Sequence, residues 1–176
     1  MAQKLEVLLL DQADVIQCGG LDYAQAVEDE IKAYSMLDNG EAQDPICPQL
    51  WFRNQEVGTA FVAFHPCALT GDVDIAGIKT IGRFPNNPSQ KDLPCLIGLT
   101  ELIDMRTGQP KALVEPTMRT VIRTGCSAAV GARYLARKDS KIVAALGCGA
   151  VGRAQITALA RAMPDLAEIK VYDVNQ

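Results

Sequence analysis

The chain has 176 residues, 48% of them hydrophobic, enough to bury an apolar core as one large or two small domains. Its 17 basic and 21 acidic residues give a net charge of −4 with the cations scattered, which excludes the basic stripe that grips a nucleic-acid backbone. The run Leu8-Leu9-Leu10 meets Asp11 and Asp14 at once, too short for a secretory signal, and Arg133 and Arg137 interrupt the most apolar stretch of the second half. No nucleic-acid or membrane partner is therefore expected, and the protein reads as cytoplasmic.

In chain order, residues 5–10 suit a short strand. Asp22 then stands as N-cap before apolar residues at Ala24, Val27, Ile31, Ala33, Met36 and Leu37, a helical spacing that should stop at Asn39-Gly40. Pro45 and Pro48 mark 41–56 as a loop, and Val57 to Phe64 and residues 74–82 read as strands. The polar stretch from Phe84 to Asp92 is a surface loop. Cys95 to Ile103 and Ala112 to Val114 form a hairpin around Arg106-Thr107-Gly108-Gln109-Pro110. Residues 1–115 thus predict an α+β domain.

After Glu115-Pro116 the pattern turns helical. Thr117 is a candidate N-cap, Val121, Ile122, Cys126, Ala129, Val130 and Tyr134 form an apolar face, and the small residues Gly125, Ser127, Ala128, Ala129 and Gly131 permit close packing. Lys138-Asp139-Ser140 breaks the helix. Ile142 to Leu146 reads as an all-apolar buried strand, followed by a helix to about Met163 and a strand from Ile169 to Tyr172. Cysteines at 18, 47, 67, 95, 126 and 148 make no CxxC pair, and His65 is the one histidine. No metal site is expected, and the cysteines read as ordinary buried thiols of a reducing compartment.

Between the Ile142–Leu146 strand and the helix that follows it lies Gly147-Cys148-Gly149-Ala150-Val151-Gly152, a GxGxxG turn in the strand-turn-helix context that gives the motif its meaning. Gly147 allows the tight turn, Gly149 lets backbone approach a pyrophosphate, and Gly152 lets the helix pack closely on the strand. The amides of Ala150 and Val151 at the helix start would face the phosphates. An acid about 20 residues later should meet the ribose hydroxyls, and Asp173 closes the second strand there; its charge would repel a 2′-phosphate, favouring NAD over NADP. Residues 116–176 therefore predict a connecting helix and the first β-α-β of a Rossmann NAD(P)-binding domain, an α/β fold that such domains continue well past Gln176. The exposed edge of the last strand points to a chain truncated within that domain.

Three groups of residues carry a resemblance to the ornithine cyclodeaminase/mu-crystallin family. They are Gly77-Ile78-Lys79 with the Pro85-Asn86-Asn87 loop, Thr107-Gly108-Gln109-Pro110, and Arg123-Thr124 ahead of Ala132-Arg133-Tyr134-Leu135-Ala136 and the glycine turn. The resemblance implies a substrate-binding, homodimer-forming N-terminal domain and chemistry at the amine- or imine-bearing carbon of a small amino or imino acid. It implies Lys79 near the substrate carboxylate, Arg123 touching carboxylate and cofactor, and Thr124 as a hydroxyl donor to the cofactor. The other readings are a strand-edge lysine at Lys79 and a helix-surface arginine at Arg123.

Departures from the family pattern bear on substrate. Ornithine-cyclising members carry a glutamate before the lysine, whereas Val57 to Cys67 holds no acid beyond the neighbouring Glu56; Arg53 is the candidate for a second substrate arginine, and His65 reads either as a packed or surface histidine or as a base or donor. A cofactor-touching threonine falls near Cys95, and a glutamine of some members is Val151 here. The proton-transfer aspartate of the family would lie beyond Gln176. The leading expectation is an NAD-dependent oxidoreductase or cyclodeaminase-type enzyme. Alternatives are a non-catalytic cofactor-binding or accessory subunit, and a half-domain acting only in dimerisation.

Overall fold

The computed structural model describes residues 4–54 and 58–174, which form a mixed α/β protein. The chain divides into two compact units, Met1–Cys18 with Met36–Thr117, and Gly19–Ser35 with Met118–Gln176. Apart from residues 116–117, which fall in the first unit, the division differs from a cut at 115/116 in one segment, residues 19–35, whose helix buries its apolar side on helices of the second unit.

The first unit is built on a seven-stranded sheet of β1 (Leu8–Leu10), β2 (Ala42–Gln43), β3 (Gln49–Asn54), β4 (Gly58–Leu69), β5 (Ile75–Arg83), β6 (Leu96–Asp104) and β7 (Pro110–Val114). Its order is β1-β7-β6-β5-β4-β2, with β3 also paired to β4; every pair is antiparallel except β1 with β7. The predicted loop at 41–56 is thus partly strand. Leu50, Trp51 and Phe52 are consecutive, exposed apolar residues, so β3 lacks the alternation by which a half-buried strand is read. Val57 and Glu56 lie outside the described residues.

A short helix α1 (Gln12–Gln17) follows β1, unanticipated because Asp11 and Asp14 read only as charges. They form a capping box, in which Asp11 accepts from the amides of Ala13 and Asp14 while Asp14 accepts from the amide of Asp11. The β6–β7 hairpin is held by Asp104, whose carboxylate accepts from the amides of Arg106 and Thr107 and from the Thr107 hydroxyl, with Gly108 at φ 71° completing the turn. Those amides, Thr107's first, hold the Asp104 carboxyl below its ordinary range. The loop from Phe84 to Asp92 carries one helical turn, α3 (Asn87–Gln90).

In the second unit, α2 (Tyr23–Asp38), α4 (Thr117–Leu135) and α5 (Ala150–Ala162) bury Ala26, Val27, Ile122, Cys126, Ala129, Ala158 and Leu159 in one cluster. Asp22 caps α2 through the Gln25 amide. At the other end Gly40, at φ 76°, donates to the Leu37 carbonyl while Glu41 donates to that of Met36, the paired bonds of a glycine stop. Ala24, Ala33 and Leu37 stay exposed, and the buried face runs instead through Ala26, Val27 and Met36. Thr117 proves to be the first residue of α4, its amide capped by the Glu115 carboxylate, and Tyr134 is 62% exposed, outside the core. At Gly125 a Cβ would lie 2.6 Å from the carbonyl carbon of Ala154, so α4 and α5 touch backbone to backbone. Gly131 meets no such neighbour.

Strands β8 (Ile142–Leu146) and β9 (Glu168–Tyr172) pair in parallel on either side of α5, giving the expected β-α-β unit. The expectation of a buried β8 does not hold. Alternate residues are exposed, Leu146 by 83%, because α5 covers one face of a two-stranded sheet and the face of Ile142, Leu146 and Tyr172 has no described layer against it. Nor are the cysteines uniformly buried: Cys126 is, Cys18 and Cys67 are exposed, Cys47, Cys95 and Cys148 are half-buried, and all six are free thiols. No described helix is long and apolar enough to cross a membrane.

Candidate functional site

The glycine turn is fixed from both ends. Gly147, at φ 93°, takes a conformation that costs other residues roughly 1–2 kcal/mol, and its amide donates to the Tyr172 carbonyl at 2.8 Å. The next amide, of Cys148, donates to Oδ2 of Asp173 at 2.5 Å. A Cβ at Gly152 would fall 2.1 Å from the Gly147 carbonyl oxygen, so only a glycine lets the first turn of α5 sit this close to the turn. Gly149 is the N-cap of α5 and offers no side-chain cap, and a Cβ there would meet nothing within 4 Å.

The chemistry of this arrangement follows from what it leaves open. The amides of Ala150, Val151 and Gly152 have no carbonyl one turn back within the helix, and the positive end of the helix dipole lies over open space at Gly149. A pyrophosphate fits such a cradle. Half-buried Asp173 stands beside it; a carboxylate accepts at several lone-pair positions, so the bond from Cys148 leaves capacity for a ribose hydroxyl.

The Thr124 hydroxyl donates to the Thr120 carbonyl one turn back at 2.7 Å, which leaves its lone pairs to accept from a ligand. Arg123 precedes Thr124 on α4 with an exposed side chain, and Val151 is half-buried on α5.

In the first unit, Lys79 sits on β5 directly between His65 of β4 and Thr100 of β6. Residues opposed in antiparallel strands share a face with Cβ atoms about 5 Å apart, so the register makes a polar row of His65, Lys79 and Thr100. They line an open cavity of about 300 Å³ whose remaining walls include Cys67, Leu69, Ile75 and Leu102. One end is polar and the other apolar, the pattern of a small-molecule pocket. The Cys67 thiol is pushed up by partial burial and then by the charge of Asp44, which keeps it protonated at neutral pH.

Arg53 does not join this row. It pairs with Thr59, six residues from His65 on β4, which is about 20 Å at the rise of a strand. Cys95 is half-buried in the approach to β6, its carbonyl accepting from the Phe84 amide. Sequence reasoning missed Thr100 and Cys47. Thr100 carries no motif and is placed only by register, and the Cys47 thiol lies 3.0 Å from Nδ1 of His65 because the β2–β3 loop crosses β4 there.

The family described as ornithine cyclodeaminase/mu-crystallin matches residues 9–176. The chain belongs to this family. Alanine dehydrogenase of Archaeoglobus fulgidus is 35% identical over 173 residues, 98% of this chain and 50% of the relative. Among solved structures, an archaeal alanine dehydrogenase dimer with bound NAD superposes with a TM-score of 0.80 at 32% identity, over 96% of this chain and 49% of that one. The Delta(1)-pyrroline-2-carboxylate reductase of Thermococcus litoralis, in complex with NADH and L-proline, gives 0.80 at 32% identity, over 96% and 50%. The chain therefore spans about half the length of the relatives it matches.

Proposed function

We propose that this chain supplies the substrate pocket and the pyrophosphate- and ribose-binding half of an NAD-dependent enzyme acting on the amine- or imine-bearing carbon of a small amino or imino acid, by oxidoreduction or cyclodeamination. The observation that carries the reading is the glycine turn: an uncapped helix start over open space, with a carboxylate locked beside it. NAD, in preference to NADP, fits this geometry, because Asp173 would repel a 2′-phosphate. Two similar structures of known proteins hold NAD or NADH, which supports the choice.

Bound NAD would accept or deliver the hydride. The chain's own residues would do the rest. The amides of Ala150, Val151 and Gly152 hold the pyrophosphate, and Asp173 accepts from the ribose while anchoring the turn. Lys79 attracts the substrate carboxylate and stabilises charge as the neighbouring carbon changes hybridisation, and the apolar end of its pocket takes an aliphatic side chain. Arg123, a guanidinium that can pair bidentately with an anion, is assigned to carboxylate and cofactor, and Thr124 to an accepting contact with the cofactor.

A homodimer suits exposed Leu8 and Leu9 on the edge strand β1 and Leu50, Trp51 and Phe52 on β3, and one similar protein is described as a dimer. Six unpaired thiols suit a reducing cytoplasm. The test is a fluorescence titration of the intact protein with NADH and NADPH, followed by a screen of amino acids and ketimines for NAD(H)-linked turnover, with Lys79→Met as comparison. The reading expects NADH to bind more tightly than NADPH and Lys79→Met to abolish turnover. A folded protein that binds neither dinucleotide refutes it.

A further inference from the structure

His65 is the single histidine of the chain, and the structure gives it a defined partner. Strand β3 pairs with residues 58–63 of β4 and β2 with 68–69, leaving a gap at 64–67 that the β2–β3 loop fills. The Phe64 amide donates to the Pro48 carbonyl at 3.1 Å, and this bond sets Cys47 against the next side chain, with its Sγ 3.0 Å from Nδ1 of His65. Pro66 lies in the same gap, where its missing N–H breaks no strand pairing.

A thiol is a better donor to an imidazole nitrogen than an acceptor from one. With Cys47 donating to Nδ1, the ring proton resides on Nε2, and a shift of the thiol proton to Nδ1 would leave Nε2 protonated as well. Either way His65 presents Nε2–H as a donor. The ring shares its sheet face with Lys79, its direct neighbour across β4 and β5, and both line the same cavity. Among the described residues, the groups facing the imidazole include Cys47 from the loop, Cys67 two residues on along β4, and Lys79 from β5, with Thr100 one strand further; the charge of Asp44 reaches Cys67.

We infer that His65 is a second contact for the substrate carboxylate, donating from Nε2 beside the Lys79 ammonium, and that Cys47 is the positioning residue that fixes its tautomer. The inference rests on the proposed function for the identity of that carboxylate. Neither residue belongs to the glycine turn, so the two can fail separately. Cys47→Ala should release the tautomer and weaken carboxylate binding. Cys47→Ser, whose hydroxyl can replace the donated bond, should restore both.

The probe is pyruvate, added to the intact protein labelled with ¹⁵N. His65→Asn assigns the imidazole signals, and their shifts report the tautomer without any turnover. The expected results are an Nε2-protonated ring, a pyruvate-dependent shift that Lys79→Met removes, and pyruvate affinity about tenfold weaker in His65→Phe, the scale of one hydrogen bond to a charged group. An Nδ1-protonated ring in the free protein overturns the role of Cys47. Lys79-dependent pyruvate binding that leaves the imidazole signals unmoved and His65→Phe within about twofold of wild type overturns the contact, as does a failure of pyruvate to bind at all. Absence of NADH binding by the same sample refutes the proposed function, and the pyruvate and tautomer data then decide this inference on their own.

Discussion

Alanine at Gly152 and alanine at Gly149 should fail in different ways, although the two glycines lie three residues apart in one motif. At Gly152 the added Cβ would stand 2.1 Å from the Gly147 carbonyl oxygen, against a shortest ordinary C···O approach of about 3.3 Å. The neighbour is backbone and cannot rotate away, so α5 or the turn must move. Such overpacking costs about 1–3 kcal/mol, and the better helix propensity of alanine returns at most about 1. A backbone clash at 2.1 Å belongs in the upper part of that range, so the net loss is about 1–2 kcal/mol, which lowers the melting temperature of a unit this small by roughly 5–15 °C.

At Gly149 the added Cβ meets nothing within 4 Å, and φ −63° with ψ −178° is extended backbone that alanine adopts without strain. Stability should change by less than about 0.5 kcal/mol. The methyl would instead fill the space through which a phosphate reaches the helix amides. Losing one or more such charge-assisted bonds weakens NADH binding by about 10- to 100-fold. Thermal unfolding followed by circular dichroism and NADH fluorescence titration on each variant separate the two effects. Gly152→Ala melting with wild type, or Gly149→Ala binding NADH within about twofold of it, would refute the geometry.

Asp173→Ser removes both the ribose acceptor and the charge that disfavours a 2′-phosphate; NADH affinity should fall about tenfold and the NADH/NADPH ratio should approach one, as read by the same titration. Gly125→Ala puts a Cβ 2.6 Å from the Ala154 carbonyl carbon and should lower the melting temperature of the second unit by several degrees, with urea unfolding as the check. Asp104, whose carboxyl is held below its ordinary value by the turn amides, should stabilise the β6–β7 hairpin at neutral pH. That contribution is full above the ordinary carboxylate range and fades as pH falls through the lower folded value. Amide exchange in the hairpin should therefore differ between wild type and Asp104→Asn at neutral pH and converge in acid. Equal protection at both pH values would remove Asp104 as the clamp.

Where sequence and structure agree, the cause is local. A strand, a turn needing positive φ at Gly147 and a helix that must come within contact of that turn at Gly152 are demands met within a dozen residues, so the β-α-β unit and its cofactor cradle were legible in the glycines alone. The glycine stop of α2 and the Thr107-Gly108 hairpin were legible for the same reason. The capping box of α1 was also local, yet its two aspartates were read only as charges.

What the tertiary structure decided is register and coverage. One residue of slip would turn every side chain of β4 to the opposite face, so no inspection of Gly77-Ile78-Lys79 could place His65 and Thr100 on either side of Lys79, bring Cys47 onto the imidazole, or set Arg53 about 20 Å away. Burial of β8 likewise depends on which layers lie against it. The sequence by itself determined the strand-turn-helix of a dinucleotide-binding unit and the glycines that shape it. The pocket beside Lys79 arose only from strand pairing, because its residues lie on three strands and a loop whose relation is fixed by hydrogen bonds between segments far apart in the chain.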